Sequence, residues 1–130
     1  MTLADIRDWL KGFGIAEHYY IGKLDNKEDK SLGVYQRDPG RPGIALGGYD
    51  NTKHEVKRVS ILIHWNKNAK ETEIAAKELY KKITSTNRPV IGDKQVYCII
   101  MQTAEPVDVD TDDTGTYERV IWFDIYYERR

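Results

Sequence analysis

The chain is poor in the residues that disulfides, membranes and leader peptides require. It carries one cysteine in 130 residues, so no disulfide can form within it, and Cys98 lies in the apolar run 96–101, where a small hydrophobe is expected. No stretch approaches the roughly 20 apolar residues that cross a bilayer, and the first residues lack a basic and apolar leader. We therefore expect a soluble intracellular protein in a reducing compartment, with no membrane contact.

An excess of charge of either sign is also missing. Lys and Arg number 20, Asp and Glu 21, and the net charge is −1. Such a balance supplies no long-range field that would attract nucleic acid or anionic lipid. Pairs such as Glu73 and Lys77 on a predicted helix are typical of a solvated helical surface. The length predicts one domain, residues 1–130, with its own core.

Two amphipathic helices are predicted from apolar stripes at helical spacing. The first runs from residue 3 to about 13 after Thr2, a candidate N-cap with Asp5 at the reciprocal position of a capping box. The second, about 69–84, follows Asn68, with Glu71 at the same relative position. Both helices have one apolar face that must pack against other elements.

Strand patterns account for most of the remaining chain. Residues 53–65 and 117–130 alternate as central strands, while 95–103 is apolar on both faces, as in a strand covered on each side. Residues 18–24 and 31–36 look like the arms of a hairpin. The elements predict an α+β fold, a mostly antiparallel sheet of about five to six strands with two helices packed against it.

The segment 37–52 is rich in proline and glycine, which predicts a loop, with a short strand at 43–46 inside it. No group of residues in the chain indicates catalysis. His54 and His64 lie on one predicted strand about 33 Å apart, at roughly 3.3 Å per residue, which is too far to share a metal. The glycine-rich stretch 40–48 lacks both the P-loop ending and the GxGxxG pattern. We expect no catalytic residues, no cofactor and no metal.

An acidic segment precedes the last strand, and its alternating aspartates match the first three ligands of a calcium loop: Asp108, Asp110 and Asp112. The sixth position should be glycine and is Asp113, and the twelfth should be glutamate and is Arg119. A polar turn is the better interpretation, with Asp side chains accepting backbone N–H groups and Gly115 at positive φ. A calcium-linked binding module stays open as an alternative function.

Tyrosine is unusually frequent, with nine residues in 130. Most lie on or beside predicted strands, where alternation buries one ring of an adjacent pair, such as Tyr126 and Tyr127, and presents the other outward. An outward amphipathic ring suits either a protein interface or ordinary sheet surface.

Four features occur together in a fixed order: the short helix with Trp9, the strand Ile61–Trp65, the helix after Asn68, and the segment Pro106–Glu118 leading into the closing aromatic strand. In this order and spacing, over nearly the whole chain, the sequence resembles the phage minor capsid protein family, also described as tail terminators of long-tailed bacteriophages. The resemblance implies a structural virion protein of the tail or neck, assembled in the host cytoplasm.

The same resemblance implies partners. A ring of six copies would cap the tail tube, contact the major tail tube protein and a head-side connector protein, and let double-stranded DNA pass without sequence recognition. A closed ring joins two different surfaces of each subunit, and the segments 37–52 and 105–116 are the best loop candidates. The candidate interface residues are Tyr35, Arg37, Arg41, Tyr49, Asp108, Asp110, Asp112, Asp113 and Tyr126.

Other roles stay open on the residues alone. A neighbouring neck or head-completion position would suit the same features. A nucleic-acid-processing enzyme or accessory factor would require clustered carboxylates with lysine in one cleft, and the sequence shows no such cluster.

Overall fold

The computed structural model describes residues 1–22 and 28–129. Two α-helices and seven strands are present in this part of the chain. In chain order they are α1 (Leu3–Lys11), β1 (His18–Ile21), β2 (Ser31–Gln36), β3 (His54–His64), α2 (Ala69–Ser85), β4 (Val90–Ile91), β5 (Lys94–Met101), β6 (Val107–Thr111) and β7 (Tyr117–Glu128). A single turn of 3-10 helix, Tyr49–Asn51, lies in the loop before β3. The predicted α+β class is confirmed.

Both helices begin at the residues that the sequence predicts. Thr2 Oγ1 accepts a hydrogen bond from the Asp5 N–H at 3.1 Å, and Asp5 Oδ2 accepts one from the Thr2 N–H at 2.8 Å. Asn68 Oδ1 accepts from the Glu71 N–H at 3.1 Å. The predicted reciprocal bond from Glu71 is wrong, because the Asn68 N–H donates instead to Asn66 Oδ1 at 2.9 Å and Glu71 accepts from the Asn66 side-chain amide. Side chains therefore satisfy backbone donors that the first helical turns leave free.

The sheet is organised around the long ladder between β3 and β7. Its strand order is β1-β2-β3-β7-β5-β4, and β6 also pairs with β7. The ladder extends from the pair His54 and Glu128 to the pair His64 and Glu118. Since β3 occupies one edge of β7 along this length, β5 and β6 share the other edge. The two ends of the ladder lie about 33 Å apart, at roughly 3.3 Å per residue.

The core lies between one face of this sheet and both helices. The predicted inward face of the β3 region is confirmed, because Val59, Ile61, Ile63 and Trp65 are all buried. Their main partners are also buried, namely Ile6 and Leu10 of α1, Ala76, Leu79 and Ile83 of α2, and Ile121, Phe123 and Ile125 of β7. Each large apolar side chain removed from water in this way contributes about 1.5–3 kcal/mol. The opposite face of the sheet is left without either helix.

The predicted hairpin at 18–24 and 31–36 is wrong. Strand β1 pairs with β2 in parallel, with His18 opposite Ser31 and Ile21 opposite Val34. Hydrophobic alternation specifies which face a side chain occupies, but it carries no information on strand direction. Residues 23–27, which include the end of the predicted first strand and part of its turn, lie outside the described residues.

Three further predictions need correction. Strand β5 is not covered on both sides, because Tyr97, Cys98 and Ile100 are exposed and both helices pack on the other face. A bulge between Val96 and Cys98 also shifts its alternation. Residues 43–46 form no strand. Part of the predicted acidic turn is instead the edge strand β6, which pairs with β7 and has all its residues exposed.

Candidate protein-interaction site

The helix-free face of the sheet carries aromatic and aliphatic side chains. Trp122 of β7 lies opposite Ser60 at its centre, with 43% of its surface exposed. Strand register places further apolar residues on this face, namely Tyr20, Tyr35, Leu62, Ile100, Val120 and Tyr126. Neighbouring apolar side chains that remain accessible on one face mark a candidate protein contact.

A partly buried ion pair holds the start of the 37–52 loop against this face. Asp124 is only 7% exposed. Its Oδ1 lies 2.8 Å from Arg37 Nη1, and its Oδ2 accepts from Gln102 Nε2 at 3.0 Å. The Arg37 guanidinium also lies over the Trp122 ring, 5.6 Å from the centroid. Because both oxygens of Asp124 have partners, Arg37 fixes the position of the loop and the orientation of Trp122 together.

A basic pocket lies between that loop and the helix-free face, at the beginning of β3. It encloses about 550 Å³. Three of its lining residues are arginines, and His54, Glu55 and two tyrosines also line it: Arg41, Arg58 and Arg129, with Tyr49 and Tyr126. His54 and Arg58 point into it together because alternate residues of a strand share a face. We call this site the basic pocket.

Arg129 closes one side of the basic pocket. Its guanidinium lies over the Tyr49 ring at 5.1 Å and donates to the backbone oxygens of Tyr49 and Thr52. Its Nε lies 3.8 Å from Glu55, and the other Glu55 oxygen accepts from the Tyr127 hydroxyl at 2.9 Å. Burial, reinforced by this hydrogen bond and by the charge of Glu55, raises the pKa of Tyr127 to about 12.

The acidic segment, residues 107–113, lies at the opposite end of the central ladder. Asp108 Oδ1 accepts from the Asp110 N–H at 3.1 Å. Asp112 Oδ1 accepts from the Thr114 and Thr116 N–H groups, each at 2.9 Å. Gly115 has φ +85°. The predicted polar turn is confirmed at residues 112–116, where Asp112 accepts from backbone N–H groups and Gly115 has positive φ, whereas Asp108 and Asp110 belong to β6.

His64 anchors this turn from inside the protein. Its side chain is 1% exposed, with Nδ1 2.9 Å from Glu118 Oε2 and Nε2 3.7 Å from Asp112 Oδ2. Burial raises the pKa of the Asp112 carboxyl, but hydrogen bonds from Thr116 and Thr114 and the nearby His64 outweigh it, so the pKa is lowered overall. The sequence places His64 and Asp112 in different elements, and only the fold joins them.

The predicted interface residues fall into two groups. Around the basic pocket and the helix-free face lie Tyr35, Arg37, Arg41, Tyr49 and Tyr126. At the other end lie Asp108, Asp110, Asp112 and Asp113. Sequence reasoning did not select Arg58, Arg129 or Trp122. Arg58 and Trp122 could have been found from the sequence, because each alternates with buried neighbours. This alternation places both side chains on the face of the sheet away from the core.

Neither a metal-binding cluster nor a membrane-spanning helix is found in the described part of the chain. Within residues 1–22 and 28–129, no group of three or more His, Cys, Asp or Glu side chains could hold a metal ion. Neither described helix has the length and apolar composition needed to cross a membrane.

The sequence matches the family model described as bacteriophage tail terminator protein over residues 3–129. The matched region contains all the helices and strands above, the basic pocket and the acidic segment. The chain belongs to the bacteriophage tail terminator family. No curated protein sequence matches it. Tail terminators are structural proteins of the virion tail, so the family and the general role expected from the sequence are confirmed.

Proposed function

We propose that this tail terminator caps the end of the tail tube and helps to join the tail to the head. The observation that carries the proposal is the family match over residues 3–129. In this role the protein forms a ring, six copies being the expected number, and contacts the major tail tube protein on one side and a head-side connector protein on the other.

The helix-free face and the loop 37–52 beside it support this role. The helix-free face with Trp122 offers a rigid apolar contact, because β2, β3, β7 and β5 hold its side chains in one hydrogen-bonded sheet. The loop 37–52, fixed to that face through Arg37 and Arg129, adds a second contact region. Protein interfaces are enriched in aromatic residues and arginine, as these surfaces are.

The charge balance supports a passive relation to DNA. With a net charge of −1, the subunit has no excess of cations that would hold phosphates through counterion release. Double-stranded DNA passing through a ring of such subunits would therefore be held only weakly, as suits a passage without sequence recognition.

Binding to tail-tube ends is the direct test. Purified protein is mixed with tail tubes and the end-bound fraction is measured by cosedimentation and by labelling in electron micrographs. We expect saturable binding at tube ends. Trp122→Ser should weaken it at least about tenfold, whereas Ile74→Ser, which removes an exposed apolar side chain from α2, should leave it unchanged. Binding to connector proteins but not to tube ends would move the protein to a neighbouring neck position.

A further inference from the structure

Two guanidinium groups of the basic pocket lack ion-pair partners among the residues that the structure describes. The Nε of Arg58 is buried and has no hydrogen-bond partner among the described residues. Neither Arg58 nor Arg41 forms an ion pair within residues 1–22 and 28–129. A guanidinium N–H that has lost water without gaining an acceptor costs stability, so an anion that reached Arg58 Nε would be favoured there.

Nearby carboxylates already have other partners. Asp124, the cross-strand neighbour of Arg58, is bound by Arg37 and Gln102. Glu55 is bound by Tyr127 and lies near Arg129. The Arg58 guanidinium lies against the loop backbone, since a Cβ at Gly40 would lie 3.0 Å from Nη1.

The acidic segment offers carboxylates on an exposed strand. The described residues provide no hydrogen-bond or ion-pair partner for the Asp110 carboxylate. All residues of β6 are exposed, including Val107 and Val109. The strand pairs with β7 on one side only, and an edge strand of this kind can insert into or pair with another molecule.

We propose that the basic pocket of one subunit receives the acidic segment of a second copy of this chain. The inference rests on the proposed ring-forming function and identifies the contact that would close the ring. Arg58 and Arg41 would bind the Asp110 and Asp108 carboxylates, with Tyr49 and Tyr126 flanking the contact.

The positions of the two surfaces favour a second copy over other occupants. They lie at opposite ends of the β3–β7 ladder, so each subunit can donate its acidic segment to one neighbour and accept that of the other. This is a head-to-tail contact, which closes into a ring by rotation. DNA phosphates fit less well, because they require cations along a continuous track, whereas these arginines converge on one partly enclosed pocket with aromatic walls.

Charge neutralisation tests the proposal in the full chain. The pocket variant carries Arg41→Gln and Arg58→Gln, and the segment variant carries Asp108→Asn and Asp110→Asn. Asparagine suits position 110 because it tolerates the positive φ of +68° there. Sedimentation equilibrium at about 0.05 M salt measures self-association, with and without tail-tube protein, and thermal unfolding verifies that each variant is folded.

We expect each variant to lower the association constant at least about tenfold, and about 0.5 M salt to weaken wild-type association. Two control variants make the same charge changes on exposed positions elsewhere: Lys70→Gln with Lys81→Gln, and Glu78→Gln with Asp93→Asn. These should associate like wild type.

Three results would overturn the proposal. The first is that both test variants associate as strongly as the wild-type protein. The second is that the wild-type protein does not self-associate, either in solution or on tail tubes. The third is that the pocket variant loses binding to duplex DNA but still self-associates normally. Tube-end binding distinguishes this proposal from the broader one. If it persists while the variants associate normally, the capping role stands and the pocket contact falls. If the protein does not bind tube ends but both variants lose self-association, the pocket contact stands and the capping role falls.

Discussion

His64 and Glu118 face each other across the central ladder, with the imidazole Nδ1 2.9 Å from a carboxylate oxygen. The same imidazole lies 3.7 Å from Asp112 on its other side. One buried ring therefore connects β3, β7 and the turn at the end of the acidic segment. This arrangement makes the geometry of the turn depend on the core.

Replacing His64 by leucine should destabilise the protein. The change keeps an apolar body of similar size but leaves Glu118 and Asp112 without their shared partner, which costs about 1–3 kcal/mol of unfolding free energy. Urea denaturation measures the loss. His54→Leu is the matched control, because His54 is exposed and should change stability by no more than about 0.5 kcal/mol. Equal effects of the two substitutions would contradict the role given to His64.

Acid should weaken the turn through Asp112. Its pKa is lowered in the folded protein, so its contribution to stability is present above the unfolded pKa of about 3.9 and is lost as pH falls through the folded value. Urea midpoints measured from pH 5 to pH 2 should therefore fall less steeply in Asp112→Asn than in wild type. Asp113→Asn, at the adjacent position, serves as control. Parallel profiles for wild type and Asp112→Asn would reject this prediction.

Tyr127 should ionise well above the usual tyrosine pKa of 10. Its folded pKa of about 12 lies above the usual 10, so folding favours the neutral phenol, and stability falls as pH rises from 10 towards 12. Tyr127→Phe should remove this late ionisation from an ultraviolet absorbance titration. It should also cost about 1 kcal/mol at neutral pH through the lost bond to Glu55. An unchanged titration curve would show that the hydroxyl is not held as described.

Gly92 should be more sensitive to alanine than Gly14. Both have similar positive φ, +64° and +68°, where a Cβ costs about 1 kcal/mol. At Gly92 the added Cβ would also lie 2.8 Å from Asp5 Cγ, whereas at Gly14 it would meet nothing within 4 Å. The difference in thermal stability between Gly92→Ala and Gly14→Ala therefore isolates the contact with the α1 cap. No difference would mean that Asp5 moves aside freely.

Local patterns were the predictable part of this protein. Thr2, Asp5 and Asn68 could be identified as caps because capping depends on residues within one helical turn. The inward face of β3 followed from alternation. The parallel pairing of β1 with β2 could not be predicted, because alternation carries no strand direction. Strand β6 was missed although Val107 and Val109 alternate with aspartates, because so short and acidic a run is equally typical of a polar turn.

The sequence by itself determined the α+β class, the helix starts, the buried face of the central strands and the family resemblance, because each depends on short-range periodicity or on the order of elements. The tertiary structure decided that both helices cover the same face of the sheet, which leaves Trp122 exposed. It also decided that Arg58 and Arg129 line one pocket, and that His64 contacts Asp112 at the other end of the ladder. These relations join residues that are distant in the chain, and they arise only when β7 pairs with β3, β5 and β6.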